Sequence, residues 1–335
     1  MGTQTMESRR LGRTGRDVGV VGLGTWQIGG GWTAVGDDDA VALVHAALER
    51  GVTLLDTADV YGDGRSEQLV ARALADVPTG ERPFVATKAG RRADPFEAAQ
   101  YTPDNLRGWV QRSLGNLRVE RLDLVQLHCP PPTVYGDDGV YDALDALVEE
   151  GLLAAYGVSV ETCEEALTAI ARPGIATVQI ILNAFRRKPI EQVLPAAAAA
   201  GVGVLARVPL ASGLLTGKFD ESTTFGEDDH RHFNRDGAVF DVGETFSGVP
   251  YELGLRAAAE VGAVAAGRGA STATFALRWV LDQPGVTCVI PGASSAAQVR
   301  SNVAAAQLEP LTADELAAVE RVYDEHLRDV VHHRW

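Results

Sequence analysis

The sequence predicts an α/β protein: a single-domain (β/α)8 TIM barrel over residues 1–335, with a small N-terminal hairpin and a long loop after the seventh strand. Three observations predict it. Short apolar runs alternate with helix-patterned segments along the whole chain, and these runs number eight. The runs are near-continuously apolar, as parallel strands covered by helices must be. No low-complexity linker divides the 335 residues, whose 46% hydrophobic content is enough for one large core.

The candidate strands are 18–23, 53–56, 84–88, 122–128, 154–159, 177–182, 203–208 and 286–290. The residues before 18 form the hairpin, turning at Thr14-Gly15. Thr102-Pro103 reads as a helix cap followed by a first-turn proline, after which Leu106, Val110, Leu114 and Leu117 repeat at helical spacing. Thr162 with Glu165, and Thr312 with Glu315, fit capping boxes. Gly51 and Gly201 each close a helix before a strand. The alanines 196–200 continue a helical pattern, 208–250 is the one long irregular connection, and the chain beyond about 305 reads as terminal helices and a tail.

Composition narrows the function. Lys+Arg 30 against Asp+Glu 45 gives a net charge of −15, which excludes nucleic acid and anionic membranes as expected partners. The opening MGTQTMESRR has no apolar signal core and no later run reaches the ~18 apolar residues of a membrane helix, so the expected location is cytoplasmic. Cys129, Cys163 and Cys288 are too scattered for a disulfide framework or a metal cluster and read as reduced thiols. His230-Arg231-His232 and His332-His333 lack partners at ligand spacing and read as solvated; no metal is expected. Composition assigns no oligomeric state.

Asp56, Lys88 and His128 each close an apolar strand, and Tyr61 follows Asp56 on the next loop. In a parallel barrel these strand ends share one mouth, where barrel enzymes carry their chemistry. Each residue alone has a bland reading, as cap, surface cation, core histidine or loop aromatic. Together they form a proton-transfer set. A free phenol titrates near ~10; an ammonium beside it is expected to lower that value, and a carboxylate keeps the ammonium charged and oriented. A histidine within reach can polarise a carbonyl oxygen.

The spacing Asp56-x-Ala58-x-x-Tyr61-Gly62, then Ser66-Glu67, Thr87-Lys88 and Gln126-Leu127-His128, resembles the aldo-keto reductase family. The resemblance runs from Gly22-Leu23-Gly24-Thr25-Trp26 to Asn302. It implies a barrel that binds NADP(H) without a Rossmann fold and reduces a small-molecule aldehyde or ketone. Tyr61 is then the general acid/base, Asp56 and Lys88 tune it, and His128 orients the substrate carbonyl. The glycine patterns Gly22-x-Gly24 and Gly201-x-Gly203-x-x-Ala206 are not dinucleotide fingerprints, since one is incomplete and the other precedes its strand.

The resemblance also assigns the cofactor's surroundings: Gly24 and Thr25 at the first strand end, Ser159 and Gln179 on the nicotinamide carboxamide, and Arg207 where the family has an aromatic. Leu210, Ser212, Gly213 and Lys218 fall in the loop that covers the pyrophosphate. Gly292, Ser294, Gln298 and Asn302 fall in the segment that grips the adenosine 2′-phosphate, although cationic side chains usual near 292, 295 and 298 are missing. Val160 replaces a more usual asparagine, and Arg207 is expected to compensate it at the nicotinamide. Trp26, Trp32, Val60, Arg91 and Phe233 are expected to shape the substrate pocket. Two alternatives stay open: a cofactor-binding regulatory subunit, and a Schiff-base lyase using Lys88.

Overall fold

The computed structural model describes residues 6–30 and 35–335. Strands β1 (Ser8–Arg10) and β2 (Asp17–Gly19) pair antiparallel, with Gly15 in the left-handed region at the turn, as expected of the hairpin. Eight parallel strands follow: β3 (Leu23–Gly24), β4 (Leu54–Asp56), β5 (Phe84–Ala89), β6 (Leu124–His128), β7 (Tyr156–Ser159), β8 (Ile175–Ile181), β9 (Gly203–Arg207) and β10 (Cys288–Val289). Each pairs with the next in chain order, and the bridges Val21–Val289 and Gly24–Gly292 close the ring. Gly22 N donates to Val289 O at 2.9 Å across this seam. All eight expected strands are present. The first differs, because residues 17–19 are drawn into the hairpin and only the end of the apolar run joins the barrel.

The hairpin plugs the N-terminal end of the barrel. Leu11 and Val18 pack with the inward side chains Leu54, Phe84, Leu124, Leu205 and Cys288 in an apolar cluster. Gly12 turns with φ +48°, and a Cβ there would collide with the backbone of Ala176 and Gly203, so close approach requires glycine. With one end sealed by apolar side chains, polar inward residues are left to the opposite end.

The outer layer follows its caps. The helix Pro103–Leu117 starts with the Thr102 hydroxyl accepting from Asn105 N, and buries Leu106, Val110 and Leu117. Each such side chain contributes roughly 1.5–3 kcal/mol by leaving water. Both capping boxes form, Thr162/Glu165 before Cys163–Ile170 and Thr312/Glu315 before Ala313–His326. The 208–250 connection holds only short helical turns, among them Ala211–Thr216, His230–Phe233 and Val242–Glu244. The expected tail is not free: Trp335 is buried, and His332 Nδ1 lies 2.9 Å from the Tyr323 hydroxyl. Among the described residues no helix is long and apolar enough to cross a membrane.

Candidate active site

Because side chains alternate along a strand, Asp56, Lys88 and His128 all point into the barrel at its C-terminal end. All three are buried. Lys88 Nζ is the hub: it donates to Asp56 Oδ1 at 2.5 Å, to Thr57 O at 2.9 Å and to the Tyr61 hydroxyl at 3.2 Å. Tyr61 is fixed by a turn in which its N–H donates to Ala58 O at 3.1 Å. Gly62 continues that turn at φ +60°, where any Cβ would strike Gly29 O. The phenol meets the His128 ring edge-on at 5.9 Å and stacks with Trp26 at 6.2 Å.

Burial opposes the charge on Lys88, but Asp56 and Tyr61 outweigh it, so the ammonium is held above its ordinary value. His128 is driven well below its ordinary value by burial, then by Arg91, Lys88 and Arg207, and stays neutral. The expectation for Tyr61 is reversed. Burial raises the phenol by more than Lys88 lowers it, with Asp56 and Glu244 adding to the rise. The expected lowering neglected the desolvation of the phenolate.

Ser159 closes β7 and pairs in register with His128. Gln179 on β8 donates from Nε2 to Asp56 Oδ2 at 2.7 Å. Thr25 is fully buried, with its hydroxyl donating to Asp56 O at 2.8 Å, and Gly24 lies beside it at the end of β3. Leu210, Ser212 and Gly213 are half-buried and Lys218 is exposed. The Ser212 hydroxyl donates to Glu244 O at 2.8 Å and accepts from Phe246 N at 3.0 Å, so it ties the long loop together. At the far seam, Asn302 Nδ2 donates to Gly292 O at 3.2 Å, while Ser294 donates through N and Oγ to Gln298 Oε1 at 2.6 and 3.0 Å. Ser295 caps the helix Ala296–Ala304 there.

Arg207 is buried and does meet residue 160, but through the main chain: Nη2 donates to Val160 O at 3.0 Å. The guanidinium also lies 2.5 Å from Glu244 Oε1 and 3.0 Å from Glu161 Oε2. Arg91 completes a ring of alternating charge, with Nη2 3.5 Å from Glu161 and 3.9 Å from Glu244. Its Nε donates to His128 O at 3.3 Å, placing the ring beside the proton-transfer set. The two glutamates and Cys129 bring ligand atoms within 4.8 Å of one another, but both carboxylates are already occupied by guanidinium groups. Glu161 and Glu244 were illegible as site residues. Glu161 stands two residues beyond the strand-end Ser159, the one available signal, whereas Glu244 lies in an irregular loop.

His230 corrects the reading of its tripeptide as solvated. It is buried, with its ring 5.2 Å from Trp26 and 6.4 Å from Phe240, because Asp229 caps the short helix and turns the imidazole inward. His232 is exposed. Val60 and Arg91 are half-buried, and Phe233 is exposed against Phe240. Trp32 lies outside the described residues.

A closed parallel barrel with buried Asp56, Lys88 and His128 and a half-buried Tyr61 at its C-terminal mouth is the architecture of a barrel enzyme. The model of the aldo/keto reductase family matches residues 20–324. Aldo-keto reductase YhdN of Bacillus subtilis is 33% identical over 301 residues, covering 88% of this chain and 87% of the relative. A glycerol dehydrogenase structure from Gluconobacter oxydans, AKR11B4, is 35% identical with a TM-score of 0.78, covering 98% and 97% of the two chains. An aldo-keto reductase from Klebsiella pneumoniae in complex with NADPH is 25% identical with a TM-score of 0.71, covering 96% of each chain. The chain belongs to the aldo/keto reductase family.

Proposed function

We propose that the protein reduces an aldehyde or ketone to an alcohol with hydride from NADPH, and that Tyr61 donates the proton. The observation that carries this reading is buried Lys88 Nζ, which holds Asp56 at 2.5 Å and the hydroxyl of half-buried Tyr61 at 3.2 Å. The donor set suits the cofactor: Ser159 and Gln179 are amide partners at the strand ends. Ser294, Ser295 and the start of the helix Ala296–Ala304 offer phosphate donors. NADPH supplies the hydride, since no side chain can.

The remaining steps belong to this chain. Neutral His128 donates a hydrogen bond to the carbonyl oxygen, which becomes more negative as the carbon is reduced. Tyr61, protonated because burial outweighs Lys88, gives that oxygen its proton. Lys88 stabilises the phenolate left behind, and Asp56 balances the ammonium. Trp26 and the enclosing long loop exclude water. A lysine held charged in this way is a poor nucleophile, which weighs against a Schiff-base lyase. The test is NADPH absorbance loss across a panel of aldehydes, ketosugars and quinones. Absence of nucleotide oxidation with every carbonyl would reject the reading.

A further inference from the structure

Asp56 has two carboxylate oxygens and two partners on different strands. Oδ1 accepts from Lys88 on β5, and Oδ2 accepts from Gln179 on β8 at 2.7 Å, across the barrel and 123 residues away in the chain. Both partners are essentially inaccessible, 1% exposed each. A carboxylate facing an ammonium can only accept, so the nitrogen end of the Gln179 amide is the end on Asp56. The opposite end, Oε1, meets no donor among the described residues. On the reading proposed above, the nicotinamide carboxamide, which carries an N–H donor, comes to this strand end.

We infer that Gln179 is a positioning residue that couples cofactor binding to the proton donor: the same amide that the reading above sets against the nicotinamide carboxamide holds Asp56 through its Nε2. The amide takes up part of the charge of Asp56 and fixes the carboxylate so that Lys88 stays between it and Tyr61. Without that hydrogen bond the full charge of Asp56 acts on Tyr61, opposing the phenolate and weakening the acid. Bound carboxamide locks the amide in the orientation that favours proton donation, so the acid is strongest when the hydride source is in place. The charged and titratable groups facing this pair are Lys88, His128, Glu244 and Cys288, with His230 behind Trp26. None of these is altered by the substitutions below.

The inference rests on the reading of Tyr61 as acid, but it is tested without turnover. Tyrosinate absorbance is titrated in the full chain, with and without NADP+, and the Tyr61 contribution is taken by difference from Tyr61→Phe. Gln179→Met, close in volume, is expected to raise the Tyr61 midpoint by about one unit, a tenfold change in the proton equilibrium. It also removes the shift that NADP+ produces in the wild type. Gln179→Asn, which keeps an amide on a shorter arm, should restore part of both effects. In an Asp56→Asn background Gln179→Met should move the midpoint no further. An unchanged Tyr61 midpoint in folded Gln179→Met, with only the NADP+ dissociation constant increased, overturns the coupling. Normal turnover by Tyr61→Phe overturns the proton-donor reading instead.

Discussion

Glu244 Oε1 lies 2.5 Å from Arg207 Nη1, and each side chain is only 10% exposed. This pair fastens the middle of an irregular loop to the last residue of β9. Arg207 and Arg91 hold the Glu244 carboxyl below its ordinary value against the opposing effect of burial. The ring it belongs to therefore gives the long loop a fixed seat at the barrel mouth.

Removing Glu244 leaves the Arg207 and Arg91 guanidinium groups sharing the one Glu161 carboxylate in a buried site. Glu244→Gln is expected to cost ~3–5 kcal/mol, as for other broken buried ion pairs. The double substitution Arg207→Met/Glu244→Leu should cost much less than the two single changes added together, because it removes one charge of each sign and leaves Arg91 matched with Glu161. Urea unfolding of the four proteins checks this. Additive losses would show that the two side chains act separately.

Tyr61→Phe keeps the stacking on Trp26 and the edge contact with His128 but removes the hydroxyl proposed above as the proton donor. Turnover should fall by the ~10² to 10⁴ typical of general acid catalysis, while the NADPH dissociation constant stays near that of the wild type. Steady-state rates with fluorescence binding separate the two quantities. A variant with near-normal turnover would remove Tyr61 from the mechanism.

The sequence made the barrel legible because its information is local: apolar runs, capping residues and strand-ending polar residues each report their own element. Asp56, Lys88 and His128 were readable for the same reason, since position on a strand dictates direction into the barrel. The Gln179–Asp56 bond was not, because it joins strands whose contact depends on barrel closure. Glu244 reaches Arg207 through a loop without periodicity, and the desolvation of half-buried Tyr61 depends on walls contributed by distant segments. His230 was misread because a short helix capped by Asp229 redirected it.

Asp59 is a fully buried carboxylate in the Asp56–Tyr61 turn that meets no side-chain hydrogen-bond donor among the described residues. Burial, then the charge of Glu67, push its carboxyl up to about 7. The folded protein thus holds this proton more tightly than the unfolded chain. Stability from the protonated form is full below the ordinary carboxylate range and is lost as pH rises toward about 7. Asp59→Asn, which mimics the protonated acid, should leave stability unchanged near pH ~4 and raise it by up to ~4 kcal/mol at pH ~8, taking ~1.4 kcal/mol per unit. Thermal unfolding of both proteins at the two pH values measures the difference. An equal effect at both would assign it to packing.

The segment 292–302, proposed above to meet the cofactor's phosphate, should discriminate weakly between NADPH and NADH. Gln298 and Ser295 are exposed, and neither carries the positive charge that a 2′-phosphate attracts most strongly. Hydroxyls and helix N–H groups bind phosphate, but a guanidinium adds a charge-assisted pair. Gln298→Arg is therefore expected to tighten NADPH binding roughly tenfold, since a hydrogen bond between charged groups contributes ~1.5–3 kcal/mol before solvent screening reduces it. NADH, which lacks that phosphate, should bind as before. Because Gln298 Oε1 also accepts from Ser294 N and Oγ, the substitution frees those two donors for the ligand while releasing the turn they hold. Gln298→Leu separates the two consequences, since it releases the turn without adding charge. Dissociation constants for both nucleotides, at low and high salt, decide the matter. A gain that is specific to NADPH and shrinks with salt places residue 298 beside the 2′-phosphate, whereas equal changes for the two nucleotides would place that phosphate elsewhere.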